Sequence, residues 1–248
     1  MIRSACRRWT RFAGGLALGL VGACGGDEAA PPTSDPVAQE VAVPELQGPI
    51  RAAGLLLIGE GVVEFQSCDG GAPLWLDGPL AIDLQELHAE LVPGVEPFEG
   101  IFIDVVANVG PPPAVGPGTA YDGALIVLLL RRAALEGWNC GDDDPTAILG
   151  ASGTEPFWSL SVTTEGAEFA TPEGRIRLEL GELADDEEGW VMQGTSPDGG
   201  NVFVSLVAVP CRDAMSGAYS HLSAEVQSGG QTFRGCGWLG PVSDPDAA

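Results

Sequence analysis

Residues 157–180 read FWSLSVTTEGAEFATPEGRIRLEL. Three short runs, at 157–163, 166–171 and 175–180, are separated by turn-forming residues such as the segment Thr171-Pro172-Glu173-Gly174. Short runs at this regular spacing predict β-strands joined by tight turns. The stretch therefore indicates a β-sandwich or a β-barrel.

The same pattern continues towards the C-terminus. Further strand-like runs lie at 189–194, 201–209, 220–227 and 231–238, and turn signals such as SPDGG at 196–200 separate them. The pattern predicts no helix of useful length in this part of the chain. We therefore expect one β-domain over 147–241, followed by a disordered tail at 242–248.

Residues 49–140 predict a second small β-domain that contains one helix. Leu84, Leu87 and Leu91 recur at helical spacing within 82–91, and Pro93-Gly94 ends the helix. Strand-like runs lie at 55–58, 62–65, 73–78, 101–109 and 125–131. Five strands with a single helix between them are typical of a small OB-like barrel. The expected fold class is all-β (mainly β), with an OB-like barrel followed by a sandwich or barrel.

An acidic segment at 141–146 joins the two predicted domains. Its aspartates, Asp142, Asp143 and Asp144, lack the alternating spacing and the distal glutamate of an EF-hand loop. We therefore expect a solvated linker and no calcium site.

Residues 1–23 have the pattern of a secretory signal peptide. Four arginines precede a short apolar run that cannot span a bilayer of roughly 30 Å as a helix. The end of that run, Val21-Gly22-Ala23-Cys24, resembles the lipobox of bacterial lipoproteins. The resemblance implies cleavage before Cys24 and acylation of that cysteine. Residues 24–48, rich in Pro, Ala, Asp and Glu, then predict a disordered tether.

Four cysteines remain once the signal peptide is removed and Cys24 carries lipid: Cys68, Cys140, Cys211 and Cys236. An even number in an exported protein predicts disulfides, with three connectivities open. Each half of the chain holds two of these cysteines, which favours Cys68–Cys140 and Cys211–Cys236. A metal site is the alternative, but none of the four forms the Cys-x-x-Cys pair typical of zinc.

The mature chain is strongly acidic. All 11 basic residues are arginines and 35 residues are acidic; removal of the four signal-peptide arginines gives 7 − 35 = −28. This charge opposes binding to nucleic-acid phosphates, so we expect no nucleic-acid partner. It also repels anionic lipid surfaces, so the lipid itself has to hold the protein at the membrane.

The sequence lacks the residues that most of the common enzyme classes require. The sequence has no Gly-x-Ser-x-Gly elbow and no lysine for Schiff-base or Walker chemistry. Its two histidines, His88 and His221, are too few for a histidine-rich metal site. The segment Gly116-Pro117-Gly118 lies in a proline-rich loop and does not open a helix, unlike a dinucleotide fingerprint. We expect no catalytic residue, metal or cofactor; a carboxylate-based hydrolase is a remote alternative.

Three separated segments resemble a family of bacterial envelope lipoproteins without an assigned activity. They are GTEPFWSL at 153–160, CRDAMS at 211–216, and Gly235-Cys236. The family carries GTEPFW and C-x-D-G-M-S segments in the same order. Ala214 replaces the usual glycine, and Gly217 stands where an acid is common.

The N-terminal domain resembles the OB-like module of NlpE-type copper-homeostasis lipoproteins. Phe65 and Cys68 ahead of Trp75, the segment IFIDV at 101–105, and Cys140 carry this diffuse resemblance. The Cys-x-x-Cys motif associated with the other domain of that lipoprotein is absent, so copper binding is not implied.

Five residues of these segments are candidates for a ligand or partner surface: Glu155, Phe157, Trp158, Asp213 and Met215. On a strand, Phe157 and Trp158 point to opposite faces, so one enters the core. The functional interpretation is a ligand-binding lip formed by an aromatic platform and the Glu155 carboxylate. The structural interpretation, which we favour, is an aromatic that closes a barrel end, with Asp213 capping a local turn.

The sequence therefore predicts an outer-membrane lipoprotein that faces the periplasm. In lipoproteins of enteric bacteria, an aspartate directly after the acylated cysteine is linked with retention in the inner membrane, and this chain has Gly25 at that position. We expect the membrane to be contacted through the lipid anchor. The expected role is a non-catalytic binding or accessory module that acts on an envelope protein partner, in envelope stress or as an inhibitor of a host lysozyme. A small-ligand or metal-handling lipoprotein is the alternative.

Overall fold

A computed structural model describes residues 47–94, 98–142, 144–186 and 188–241, and it confirms the expected all-β, two-domain fold. The signal peptide, Cys24, the predicted tether up to residue 46 and the tail at 242–248 lie outside the described residues. Among the residues described, no helix has the length and apolarity needed to cross a bilayer.

The first sheet closes into a five-stranded barrel. Its strands are β1 (Gln47–Gly59), β2 (Val62–Ser67), β3 (Leu74–Asp77), β4 (Ile101–Gly110) and β5 (Ala124–Ala134). They pair in the order β3-β2-β1-β4-β5, and a parallel pairing of β3 with β5 completes the ring. A short 3₁₀ helix, Pro117–Ala120, precedes β5. This is the OB-like arrangement that the sequence predicts.

The helix α1 (Ala81–Leu91) lies between β3 and β4 in the chain. Leu84, Leu87 and Leu91 are buried and join the core that the barrel strands form. Because these residues recur every three or four positions, they lie on one face of the helix. The helix that the leucine spacing predicts is therefore present and packs with that face inward.

Eight antiparallel strands form a second closed barrel. In chain order they are β6 (Ala147–Thr154), β7 (Phe157–Thr163), β8 (Gly166–Thr171), β9 (Gly174–Leu180), β11 (Gly189–Thr195), β12 (Asn201–Val207), β15 (Leu222–Ser228) and β16 (Gln231–Leu239). Each strand pairs with the next in this order, and β16 pairs with β6. The short strand β10 (Ala184–Asp186) pairs with the start of β11.

The contact between β9 and β11 closes this barrel. Gly194 is opposite Leu180 and Thr195 is opposite Glu179. A Cβ atom on Gly194 would stand 1.9 Å from the backbone oxygen of Glu179. Because no side chain fits at that distance, glycine at position 194 allows the two backbones to approach and the ring to close.

A short hairpin connects the two sheets. Strands β13 (Cys211–Arg212) and β14 (Tyr219–Ser220) lie between β12 and β15 in the chain, yet β14 pairs with β5 of the first sheet. The hairpin leaves the second barrel to add two strands to the first sheet. The domain prediction, which divides the chain at 141–146, does not anticipate this pairing.

Both expected disulfides are present. Cys68 and Cys140 have their Cα atoms 5.1 Å apart, and Cys211 and Cys236 have theirs 5.3 Å apart. The second bond joins strand β13 of the first sheet to strand β16 of the second barrel. It therefore links the two sheets covalently at the hairpin.

Asp104 lies at the centre of a charged cluster on the outer face of the first barrel. Its side chain is fully buried, and three arginines surround it. Arg51 donates to both carboxylate oxygens, at 3.1 Å and 3.0 Å, and Arg132 Nη2 lies 2.9 Å from Oδ2. Arg131 Nε lies 3.8 Å from Oδ1. Strands β1, β4 and β5 each contribute residues to the cluster. The arginines provide the opposite charge that a buried carboxylate requires for stability.

This cluster reaches across to the second barrel. Arg131 Nη2 donates to the backbone oxygen of Leu239 at 2.8 Å, at the end of β16. The Arg132 guanidinium lies 4.9 Å from the ring centroid of Trp138 and 5.6 Å from that of Trp238, within cation–π range. We call Asp104, Arg51, Arg131, Arg132 and the two tryptophans the barrel joint. It holds the outer faces of the two barrels together.

The structure differs from the predicted elements in two main places. Strand β6 at Ala147–Thr154 is not predicted, because its glycines and serine interrupt any apolar run. Strand β1 begins at Gln47, well before the predicted start at residue 55 and within the segment predicted as a tether. Both additions lengthen the sheets next to the barrel joint.

We predict that Asp104→Asn lowers the free energy of unfolding by about 3–5 kcal/mol, because it removes the carboxylate from three buried guanidinium groups. Burial alone would raise the pKa of Asp104, but Arg132, Arg51 and Arg131 together hold the pKa below its ordinary value. The wild-type carboxylate therefore contributes stability above about pH 4 and loses it as the pH falls through the lower folded pKa.

Urea unfolding of the wild type and the variant at pH 7 measures this difference. Glu168→Gln is the matched control, since Glu168 forms an exposed ion pair with Arg175 at 3.0 Å. That control is expected to change the free energy of unfolding by less than about 1 kcal/mol. Equal effects of the two substitutions would contradict the structural role of the barrel joint.

Candidate functional site

The interior of the eight-stranded barrel has a tightly packed end. Trp158, Phe169 and Phe233 pack against one another there, with ring centroids 5.1 to 6.2 Å apart. Trp158 is fully buried, and its Nε1 donates to the backbone oxygen of Arg234 at 3.1 Å. The aromatic rings therefore fill the end of the barrel near the β6–β7 turn.

Phe157 and Trp158 lie on opposite faces of β7. Phe157 is 59% exposed, whereas Trp158 is 0% exposed. Glu155 is exposed in the turn before β7. Because Trp158 belongs to the core, it offers no aromatic platform, and the ligand-binding lip built on Trp158 and Glu155 has no structural basis. The structural interpretation, an aromatic that closes the barrel end, describes its position.

Asp213 stabilises the loop between β13 and β14. Its Oδ1 accepts hydrogen bonds from the backbone N–H groups of Met215 and Ser216, at 3.0 Å and 2.8 Å, and from the Ser216 hydroxyl at 2.8 Å. Partial burial raises the pKa of this carboxyl, but the hydrogen bonds outweigh it and hold the pKa below its ordinary value. Asp213 thus caps a turn, while Met215 is 82% exposed at the tip.

The predicted surface residues come from two different elements of the fold. Glu155 and Phe157 belong to a turn of the eight-stranded barrel, whereas Asp213 and Met215 belong to the hairpin that extends the first sheet. Phe157 and Met215 are both exposed apolar side chains, whereas Trp158, which follows Phe157 in the chain, is internal.

The histidines and the acidic linker make local structural contacts. His88 Nε2 lies 2.8 Å from the backbone oxygen of Glu99, and His221 Nδ1 lies 3.0 Å from that of Arg131. Burial lowers the pKa of His221. Asp144 accepts hydrogen bonds from the backbone and hydroxyl of Thr146. Over the described ranges, no group of three or more His, Cys, Asp or Glu side chains forms a metal site.

The other end of the eight-stranded barrel is open and contains the largest of the cavities described here, of about 770 Å³. Five interior apolar side chains line it: Val162, Ala167, Leu178, Leu180 and Met192. Ile148 and Leu183 also contribute apolar surface. The cavities beside Arg51 and Phe233 are smaller, each about 280 Å³. We call the large cavity the barrel mouth.

Strand register explains why the barrel mouth is open. The aromatic side chains come from the ends of β7, β8 and β16 that lie near the β6–β7 turn. The opposite ends of β7 and β8 carry Val162 and Ala167, which are smaller than the aromatic rings. Ala167 is directly opposite Leu178 in the β8–β9 pair. Because alanine is smaller than the phenylalanine two positions later, the side chain at this position fills less of the barrel interior than the aromatic rings do at the other end.

The rim of the barrel mouth is acidic. Glu165 lies in the β7–β8 turn, Glu179 near the end of β9, and Glu182 in the segment that follows β9. All three side chains are exposed, and all three line the cavity. The lining of the mouth thus includes both apolar side chains of the barrel and exposed acidic residues.

The barrel mouth cannot be predicted from the amino-acid sequence. The alternation of Ile176, Leu178 and Leu180 with charged residues shows which face of β9 turns inward. It does not show that β9 meets β11, which is separated from it by β10 in the chain. The mouth is a consequence of barrel closure, and the local sequence pattern carries no signal for that long-range pairing.

The chain matches no family model, no curated protein and no solved structure. The functional conclusion therefore rests on the geometry of the barrel mouth and on the sequence pattern of the N-terminus.

We predict that Trp158→Ala lowers the free energy of unfolding by about 3–5 kcal/mol, because it removes a fully buried ring from the aromatic end of the barrel. Phe157→Ala is the matched control on the adjacent residue. Its exposed ring makes a change within about 0.5 kcal/mol the expected result. Urea unfolding monitored by circular dichroism compares the two, and a larger loss for Phe157→Ala would contradict the inward orientation of Trp158.

Proposed function

We propose that this protein is a lipid-anchored envelope lipoprotein with a non-catalytic binding role, and that the barrel mouth is its binding site for a small apolar ligand. The observation that carries the proposal is the cavity of about 770 Å³, which is open to solvent and lined by apolar side chains of the barrel together with Thr163, Thr164 and three glutamates. Ligand cavities in proteins commonly measure about 300–1,000 Å³ and are predominantly apolar.

The barrel architecture supports this proposal. An eight-stranded barrel has an interior that side chains can just fill or that can hold one small ligand. Here the aromatic residues fill one end, while Ala167 and the aliphatic residues leave the other end open. A ligand that enters the barrel mouth would cover the partly exposed side chains of Leu180 and Leu183 and gain the associated hydrophobic free energy.

The lining residues support a non-catalytic role. The described lining of the barrel mouth contains no histidine, cysteine or arginine, and its titratable groups are the exposed rim glutamates. General acid–base catalysis requires a positioned group whose pKa is adjusted to the reaction, commonly through burial. No buried titratable side chain belongs to the described lining of the barrel mouth.

The proposed location rests on the N-terminal sequence. The signal-like residues 1–23 and the lipobox-like segment ending at Cys24 favour export and acylation. The two disulfides fit an oxidising compartment. We propose that lipid on Cys24 holds the protein at the outer membrane, facing the periplasm, with the barrels displaced from the membrane by the intervening chain.

Occlusion of the barrel mouth tests the binding role. We predict that the wild type binds the apolar fluorophore N-phenyl-1-naphthylamine and that Ala167→Phe weakens this binding at least about tenfold, because the added ring occupies the cavity. Met192→Trp supplies a second, independent occlusion if Ala167→Phe is poorly folded. Fluorescence titration measures the dissociation constants, and circular dichroism verifies the fold.

Ala89→Phe is the matched control, since Ala89 is exposed on α1 in the other barrel. This variant is expected to bind the fluorophore as the wild type does. Unchanged binding in both folded occlusion variants would reject the barrel mouth as the site.

Intact-mass spectrometry of the protein extracted from cell membranes tests the anchor. We expect a mass that corresponds to a chain that begins at Cys24 and carries several acyl groups. Several acyl chains are expected because a single chain gives only marginal membrane binding. Cys24→Ser is expected to abolish both acylation and membrane retention. A wild-type chain that starts at Met1 without lipid would contradict the proposed location.

A further inference from the structure

We infer that one side of strand β9, at the aromatic end of the eight-stranded barrel, binds an extended acidic segment of a partner polypeptide. The segment adds to the barrel as a further antiparallel strand. We call this site the β9 edge and define it as residues 174–178. It lies at the opposite end of the barrel from the barrel mouth, and it does not depend on the ligand proposed for that cavity.

The seam between β9 and β11 is short and leaves the β9 edge without a paired strand on one side. Leu180 is opposite Gly194 and Glu179 is opposite Thr195, but β11 ends at Thr195 and the chain then turns at 196–200. Strand β9 extends beyond this turn, and among the described residues its positions 174–178 pair with β8 alone. Residues 174–177 are accordingly all exposed.

The backbone of the β9 edge offers hydrogen-bonding groups to an added strand. Across the seam, the N–H of Gly181 donates to the backbone oxygen of Gln193 at 2.8 Å. Because successive residues of a strand direct their backbone groups to alternate sides, Glu179, Arg177 and Arg175 direct theirs to the same side as Gly181. Arg175 and Arg177 can therefore each exchange a pair of hydrogen bonds with a residue of an antiparallel strand laid along the edge.

A hollow beside the β9 edge fits an apolar side chain of such a strand. Ile176 is directly opposite Phe169 and shares its inward face, yet Ile176 is 39% exposed whereas Phe169 is 3% exposed. A cavity of about 280 Å³ lies beside Ile176, with Phe169 and Phe233 in its lining. On an added strand, the residue opposite Ile176 directs its side chain to the same face. An apolar side chain there enters the hollow and covers Ile176.

The outward side chains of the β9 edge determine the charge of the segment. Arg175 and Arg177 stand at alternate positions, although the chain has 35 acidic residues and only 11 arginines. Glu168 is directly opposite Arg177 and forms an ion pair with Arg175 at 3.0 Å, so two cations flank one anion. Glu179, the next outward residue, lies at the seam opposite Thr195. Because opposite charges on facing strand positions stabilise a strand pair, acidic residues opposite the two arginines are favoured.

The same arginines disfavour a second copy of this chain as the occupant. If two β9 edges paired antiparallel with Ile176 opposite Ile176, Arg175 of each copy would be opposite Arg177 of the other. Like charges at facing positions are destabilising. Charged side chains on an edge strand are also a common means of preventing association between sheet edges. The β9 edge therefore opposes pairing with itself and accepts a strand of opposite charge.

Binding of two heptapeptides to the wild-type protein tests the inference. TVEVEVT places its glutamates opposite the two arginines and its central valine opposite Ile176, whereas TVKVKVT reverses the charge. Fluorescence anisotropy of the labelled peptides measures their dissociation constants. At low salt we expect TVEVEVT to bind at least about tenfold more tightly, a preference opposite to that of the negative net charge of the chain. Equal binding, or tighter binding of TVKVKVT, would overturn the inference.

N-methylation of TVEVEVT distinguishes strand addition from a contact through side chains alone. The N–H groups of its glutamates are the donors to the backbone oxygens of Arg175 and Arg177, so methylation of both nitrogens should weaken binding at least about tenfold. The N–H of the central valine points away from the edge, and its methylation is the matched control, with an expected change below about threefold. If the two modified peptides bind equally, the inference is wrong.

Charge reversal in the protein tests the location of the site. Arg175→Glu/Arg177→Glu should reverse the preference, so that TVKVKVT binds more tightly than TVEVEVT. Arg212→Glu/Arg234→Glu changes the net charge equally at exposed arginines elsewhere and should keep the wild-type preference. Circular dichroism verifies the fold of both variants, and the methylated peptides test the wild type if the edge variant is poorly folded. Loss of the preference in both variants would overturn the assignment to the β9 edge.

Sedimentation velocity tests the second copy as the occupant. Arg177→Pro removes an N–H from the β9 edge, and proline is tolerated on an edge strand. We expect this substitution to leave the sedimentation of the protein unchanged. A wild-type dimer that Arg177→Pro dissociates would assign the edge to a second copy and overturn the inference. Binding of N-phenyl-1-naphthylamine is measured separately, so failure of the peptide experiments leaves the barrel mouth untouched.

Discussion

The ion pairs of Asp104 with three arginines are the interaction on which the arrangement of this molecule depends. A fully buried carboxylate is unfavourable by itself, and the guanidinium groups from β1 and β5 offset that cost. The same arginines then bond to the end of β16 and contact the rings of Trp138 and Trp238. A single acidic residue thus orders the side chains through which one barrel packs on the other.

Strand β16 connects the barrel joint with the interior of the second barrel. Trp238 contributes its ring to the joint on the outer face of β16, while Phe233 contributes its ring to the interior. The apolar residues of the barrel mouth, among them Leu178 and Met192, are buried members of the same hydrophobic core. The proposed binding site is therefore continuous with the core of the second barrel, and only its outer residues, such as Leu180 and Leu183, are partly exposed.

Much of the fold could be predicted from sequence, whereas the candidate site could not. Strand β7, the helix α1 and the β8–β9 turn follow from local patterns, because turn residues and apolar spacing act over a few positions. Strand β6 escaped prediction because Gly150 and Gly153 are unusual within a strand. At Gly150, however, a Cβ atom would stand 2.0 Å from the ring of Trp238, so the missing side chain makes room for the joint.

The charged cluster escaped prediction for a related reason. In the sequence pattern, Arg131 and Arg132 have the character of the polar end of a strand. Asp104, between Ile103 and Val105, has the character of a residue on the outer face of a strand. Only the packing of a second barrel on that outer face turns the outward position into an interior one. The pairing of cysteines was easier to anticipate, since each half of the chain carries two. Prediction of the barrel mouth would have required knowledge of the long-range contact between β9 and β11.

The path of the chain through the β13–β14 hairpin has a consequence for folding during synthesis of the chain. The five-stranded ring is complete once Ala134 has emerged, so its scaffold can form while the rest of the polypeptide is still being delivered. The eight-stranded ring has no such independence, because its seam between β6 and β16 waits for almost the last residues. Strand β14 pairs with β5, which precedes it in the chain. A hairpin that docks on an already formed first sheet would therefore place the two final strands beside their partners, so that the earlier unit would act as an assembly template for the later one.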